Sequence, residues 1–143
     1  MKKVILYCDG SSLGNPGPGG YGGILDYRGH RKVFSGGDDY TTNNRMELRA
    51  VIEGLKLLKE PCTVEVVTDS SYVSKGINEW LEKWVSRDFK KVKNPELWRE
   101  YMEVSAPHDI HATWVRGHAG HPENEECDKL ARAEAEKRKG VSK

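Results

Sequence analysis

Residues 44–69 read NRMELRAVIEGLKLLKEPCTVEVVTD. Met46, Ala50, Val51, Leu55 and Leu58 recur at the spacing of one helical face, which predicts a helix over Asn44 to Lys59. Pro61 ends it. Thr63–Thr68 (TVEVVT) has the short, β-branched, apolar character of a strand, and Asp69 closes it. Upstream, Lys3–Cys8 is a similar apolar run, closed by Asp9. Two strands joined through a helical crossover become parallel neighbours. This stretch therefore predicts an α/β layered fold built on a mixed sheet.

The flanks extend that plan. Gly14–Gly23 (GNPGPGGYGG) is dense in Gly and Pro and reads as a loop. Ile24–Tyr27 and Lys32–Ser35 read as strands joined by a turn at Arg28-Gly29-His30, an antiparallel meander. Downstream, Ser71–Lys83 reads as a helix and Phe89–Asn94 as a basic loop. Pro95–Val104 reads as a helix, Ile110–Val115 as a strand and Pro122–Lys139 as a last helix.

At 143 residues the chain predicts a single domain over 1–143. No apolar run approaches the ~18 residues of a membrane span. Val4–Cys8 is too short for the core of a signal peptide, so the expected location is cytoplasmic. Cys8, Cys62 and Cys127 are odd in number and far apart, which predicts reduced thiols rather than a disulfide framework.

Four acids break the local pattern. Asp9 and Asp69 end predicted strands, where open α/β sheets gather ligands. Glu47 shares the apolar helix face with Val51, Gly54 and Leu58. Asp128 lies on the last predicted helix beside Cys127 and Ala131. Carboxylates brought together repel one another and call for cations; an all-oxygen donor set favours hard ions such as Mg²⁺ or Mn²⁺. Each acid also has a local reading. Asp9-Gly10 and Asp69-Ser70 suit turns or caps, Asn44-x-x-Glu47 suits a capping box, and Asp128 suits a helix N-terminus.

Other chemistries find less support. His118-Ala-Gly-His121 with Cys127 lacks the paired spacing of a zinc site. The glycine-rich segment lacks G-K-[ST], and no helix follows its G-x-G-x-x-G at Gly17–Gly22. Between positions 83 and 93, Lys83, Arg87, Lys90, Lys91 and Lys93 face a single acid, Asp88, in a chain whose net charge is +1. Trp80, Trp84, Phe89 and Trp98 interleave with them. Such a segment suits a phosphate backbone with aromatic packing, although the i, i+4 spacing of Trp80 and Trp84 suits a core equally well.

Four segments carry a resemblance over nearly the whole chain: DGSSLGNPGPGGYGGIL from Asp9, TTNNRMEL from Thr41, TDSSYV from Thr68 and WVRGHAGHPENEECDKLA from Trp114. In this order they resemble ribonuclease HI of the bacterial type. The resemblance implies an RNase H-like fold, a five-stranded mixed sheet with helices on both faces. It implies hydrolysis of the RNA strand of an RNA–DNA hybrid, leaving 5′-phosphate and 3′-hydroxyl ends. It also implies two Mg²⁺ ions (or Mn²⁺) held by Asp9, Glu47, Asp69 and Asp128. His118 matches a family histidine that moves protons or assists product release, and Glu125 matches an acid that acts with it.

For substrate contacts, Asn15, Asn43 and Asn44 match residues in the hybrid's minor groove, and Thr42 and Asn94 match a pocket for a DNA-strand phosphate. Trp80 matches an aromatic of the DNA channel, and the basic segment within about residues 80–98 matches the family's handle. Ser71 stands where the family often has Gln, Tyr40 where a basic residue often supports the phosphate pocket, and the handle is short between Phe89 and Trp98. Because the first motif begins at Asp9, no separate N-terminal hybrid-binding domain is expected. The family is usually monomeric, needs no obligate protein partner and has no membrane association. A hybrid-binding module without catalysis, or another nuclease of the RNase H-like superfamily, is the alternative. Four intact carboxylates facing a polyanion speak against a pure binder.

Overall fold

The computed structural model describes residues 1–117 and 120–139. Strands β1 (Lys2–Ser12), β2 (Gly17–Tyr27) and β3 (His30–Thr41) form an antiparallel meander. Helix α1 (Asn43–Lys56) then crosses to β4 (Cys62–Thr68). Helix α2 (Ser71–Lys75), a π-helical turn (Gly76–Trp80), α3 (Leu81–Ser86) and α4 (Pro95–Ser105) lead to β5 (Asp109–Trp114), and α5 (Pro122–Lys139) follows. The sheet order is β3-β2-β1-β4-β5, with β1–β4 and β4–β5 parallel. This is the mixed five-stranded sheet the crossover predicted. No helix among the described residues is long and apolar enough to cross a membrane.

The register positions the site. Tyr7 pairs with Val67 on adjacent parallel strands, so Asp9 within β1 and Asp69 just past the end of β4 each lie two residues beyond that pair. Neighbouring residues of a strand point to opposite faces. A Cβ on Gly22 would strike Leu130 and Cys127 of α5, whereas one on Gly23 would strike Phe34, which also lies against Gly54 of α1. Helices α1 and α5 therefore cover opposite faces, and Asp9, paired with Gly22, shares the α5 face.

One expectation fails instructively. Gly17–Gly23 is not loop but the first half of β2. A Cβ on Gly20 would lie 2.2 Å from the Ala131 carbonyl and one on Gly22 2.6 Å from Leu130 Cβ, so these two glycines serve the close approach of α5 rather than a turn. Ser71–Lys83 is likewise not one helix. It shifts register at the π turn, where Trp98 occupies the space a Gly76 side chain would need and Asn78 reaches the edge of β5. The Asn78 carboxamide donates to Ala112 O at 2.7 Å and accepts from Ala112 N at 3.0 Å, closing an edge that would otherwise stay unpaired.

Gly10 is the tightest of the approaches to the site. A Cβ there would lie 2.3 Å from Glu47 N, so the bare backbone of β1 is what lets the first turns of α1 settle on the sheet. Gly10→Ala should cost about 3 kcal/mol. Thermal denaturation should then show a melting point lower by roughly 6–12 °C, and an unchanged one would refute this packing account.

Candidate active site

The local readings of Asp9, Glu47 and Asp128 do not hold, and Asp69, in the bend after β4, caps no helix. Asp9 sits within β1, not in a turn. Thr42, not Asn44, caps α1; its Oγ1 accepts from Arg45 N at 3.2 Å, which leaves Glu47 outside any capping box. Ser70, not Asp69, caps α2, accepting from Val73 N at 3.1 Å. Asp128 lies beyond the first turn of α5 and takes Arg132 as an i, i+4 partner at 3.1 Å.

They come together instead. Asp9, Glu47 and Asp69 each offer an oxygen, all within 4.8 Å of one another. Two adjoining hollows share Asp9, Asp69 and Asp128 as lining. The larger, about 380 Å³, adds Glu47, Asn43, Asn44, Ser71 and Tyr72. The smaller adds Arg116, Gly117, His121, Asn124 and Glu125. Gly117 abuts Asp69 so closely that a Cβ would lie 2.8 Å from Oδ2.

Burial sets the electrostatics. Asp9 is 6% exposed and Glu47 is 8% exposed. Loss of solvent pushes Asp9 up to about 7, against the lowering effect of a hydrogen bond from Glu47; the Asp69 charge raises it further. Glu47 lies well above the usual carboxylate range, through burial first and the Asp9 charge next. The hydrogen bond between the two carboxyls lowers Asp9 and raises Glu47. Asp9 also accepts from Gly10 N at 2.9 Å. Glu47 Oε2 is buried with no hydrogen-bond partner among the described residues. An orphaned buried oxygen within an all-oxygen donor set fits a hard divalent cation. The group holds no His or Cys, and all three thiols are buried and free, so zinc gains no support among the described residues.

The other expected residues fall as follows. Asn15 and Asn43 meet: Asn15 Oδ1 accepts from Asn43 N at 3.2 Å, and Asn43 Oδ1 accepts from Ser12 N at 2.7 Å, which leaves the Asn43 NH₂ facing outward. Asn44 and Ser71 line the larger hollow. Thr42 and Asn94 are bridged by Arg45, whose Nη1 donates to Asn94 Oδ1 at 3.0 Å. Trp80 is half-buried and tilts against Trp84, 5.7 Å between centroids, and Trp84 meets the fully buried Trp98 at 5.0 Å. Lys83, Arg87, Lys90, Lys91 and Lys93 are all exposed. Phe89 is buried and anchors their loop. Glu125 lies beside the carboxylates. His118 falls outside the described residues. Sequence reasoning did not single out Arg116, Asn124, Arg45 and Tyr72, although each lies within two positions of a residue it named.

The RNase H family model matches residues 1–136. A ribonuclease H of Sulfurovum sp. (strain NBC37-1) is 74% identical over 136 residues, 95% of this chain and 92% of that one. The crystal structure of LC9-RNase H1, a type 1 RNase H with the type 2 active-site motif, is similar with a TM-score of 0.87 at 34% identity, covering 96% of this chain and 74% of that chain. LC11-RNase H1, solved in complex with an RNA/DNA hybrid, has a TM-score of 0.67 at 25% identity, covering 94% and 97%. These likenesses make the chain a metal-dependent endoribonuclease, a hydrolase of phosphodiester bonds. The chain belongs to the ribonuclease H family.

Proposed function

We propose that the chain hydrolyses the RNA strand of RNA–DNA hybrids with two Mg²⁺ ions, Mn²⁺ being a substitute, and leaves 5′-phosphate and 3′-hydroxyl ends. The observation that carries this reading is the convergence of Asp9, Glu47 and Asp69 within 4.8 Å, with Asp128 on the same cleft. These four residues would hold the ions, which when bound supply activation of the attacking water and charge stabilisation at the leaving oxygen. The carboxylates act as ligands and none acts as a nucleophile. Holding a cation would require Glu47 and Asp9 in their ionised forms, which burial disfavours when no ion is bound. Glu125 and His118 are assigned to proton transfer near the reacting water.

Recognition divides between the strands. The outward amides of Asn15, Asn43 and Asn44, with Ser71, read the RNA strand through its minor groove, where the 2′-hydroxyl distinguishes RNA from DNA. Thr42 and Asn94 hold a phosphate of the DNA strand, Trp80 lines its path, and the cations from Lys83 to Lys93 grip its backbone. LC11-RNase H1 with its bound hybrid supports this substrate class. The catalytic unit is one domain over residues 1–143, acting as a cytoplasmic monomer.

The test uses labelled RNA–DNA hybrid, double-stranded RNA, double-stranded DNA and single-stranded RNA, each with Mg²⁺ and with EDTA. Cleavage of the hybrid alone, abolished by EDTA, is expected. Cleavage surviving EDTA would remove the metal mechanism, and equal cleavage of double-stranded RNA would remove the specificity.

A further inference from the structure

Asn94 is the residue preceding α4, a position where Asn ordinarily turns its side chain back to cap the helix. Here it does not: α4 has no side-chain cap, although Asn94 O still accepts from Leu97 N and Trp98 N. The backbone of Asn94 lies in the left-handed region, φ 58° and ψ 48°, which Asn tolerates better than most residues. Its carboxamide is turned outward onto two partners. Arg45 Nη1 donates to Oδ1 at 3.0 Å, and Nδ2 donates to the Tyr72 hydroxyl at 3.2 Å.

The orientation of that amide is fixed by valence. Arginine carries donors only, so the side facing Arg45 must be the oxygen. Tyr72 has one O–H, and it is spent on Lys93 O at 3.2 Å. Its oxygen is therefore left to accept, from Asn94 Nδ2 and from Trp98 Nε1 at 2.8 Å. Both ends of the amide agree, and a flipped amide would face donor with donor and acceptor with acceptor. Nδ2 keeps one N–H not engaged by these partners. Thr42, whose Oγ1 caps Arg45 N, likewise keeps its O–H. Glu96 also pairs with Arg45 and completes its surroundings.

We infer that Tyr72 and Arg45 are positioning residues that lock the Asn94 carboxamide so that it presents an N–H to a phosphate of the DNA strand. This rests on the reading of Thr42 and Asn94 as the pocket for that phosphate. Arg45 is a cation beside the pocket, its charge partly met by Glu96. Tyr72 also lines the larger catalytic hollow, so one side chain borders the cleft and sets the DNA contact. A buried polar group that must be oriented before binding loses affinity when its clamp is removed, without changing the bond-breaking step.

The test is Tyr72→Phe, which keeps the ring against Trp98, 5.7 Å between centroids, and removes only the hydroxyl. Arg45→Lys is the second variant; it keeps the charge and loses the fixed fork. Steady-state kinetics are measured on a hybrid with an all-phosphate DNA strand, and on a series with one neutral methylphosphonate at each DNA linkage. For the unaltered protein, one linkage should raise KM. Each variant should show KM raised roughly fivefold on the unmodified hybrid, with kcat changed less than about twofold. Neither variant should respond further to the sensitive linkage. Variants that stay fully sensitive to it would overturn the clamp and leave the pocket standing. An unaltered protein indifferent to every linkage would overturn the pocket itself, and the clamp with it.

Discussion

Asp9→Asn should abolish hydrolysis and yet raise the stability of the metal-free protein. On the proposed two-metal reading, losing Asp9 as a ligand would remove charge stabilisation worth several kcal/mol, so turnover should fall by roughly three orders of magnitude. Stability moves the other way, for an electrostatic reason. The folded protein holds Asp9 at about 7, above its ordinary 3.8, because ionising it costs solvation and repels Asp69. A carboxylate raised in the folded state binds its proton more tightly there than in the unfolded chain. Its favourable contribution is complete below about pH 4, declines as pH rises and is gone above about 7. Asparagine cannot ionise, so it escapes that loss. It can still accept from Gly10 N, as Asp9 does at 2.9 Å. The gain at pH 8 should be about 2 kcal/mol, or roughly 4–8 °C in melting point. At pH 5 in EDTA it should be clearly smaller. Added Mg²⁺ should raise the unaltered protein toward the variant, because a ligand that binds only the folded state stabilises it. A melting difference independent of pH would dismiss the repulsion argument, and near-full activity would remove Asp9 from the metal site.

Asp9 and Asp69 were legible in sequence because each ends an apolar run, and the helix between those runs makes the strands parallel neighbours. Glu47 was legible as an acid on a buried helix face. What stayed hidden is what only packing decides. Gly17–Gly23 has the composition of a turn, and nothing local reveals that α5 will lie against it. The π turn at Gly76–Trp80 depends on Trp98 and on the edge of β5, both distant in sequence. Thr42 and Asn44 are both good cap residues, and spacing could not choose between them. Asn94 reads as a loop residue; its partners, Arg45 and Tyr72, are 49 and 22 positions away. Local chemistry thus announces the ligands, whereas the groups that orient them are a product of topology.

Replacing Lys90, Lys91 and Lys93 together by Gln should produce the second large effect, on binding rather than turnover. All three are exposed, and none pairs with an acid among the described residues. The one acid of the segment, Asp88, is engaged by Arg99 at 3.7 Å and so does little to neutralise them. Phe89 is 8% exposed, with Arg99 over its ring at 5.0 Å, and Lys93 O accepts from Tyr72; the loop is therefore held at both ends while its lysines face outward. Neutralising side chains that take no part in packing leaves the fold intact, so any loss belongs to binding. Each phosphate contact releases counterions, and losing three should flatten the plot of log affinity against log salt by roughly 2–3 units. At 0.1 M salt the affinity for hybrid should fall by roughly two orders of magnitude. Cleavage at saturating hybrid should persist, because no carboxylate is altered. The matched control replaces Lys3 and Lys32, exposed residues toward the opposite end of the sheet from Asp9. It removes two positive charges without touching the loop and should leave the slope nearly unchanged. If the triple variant keeps the original slope, the segment does not grip the backbone. If the control flattens it per charge as much as the triple variant does, the effect belongs to net charge and not to this loop.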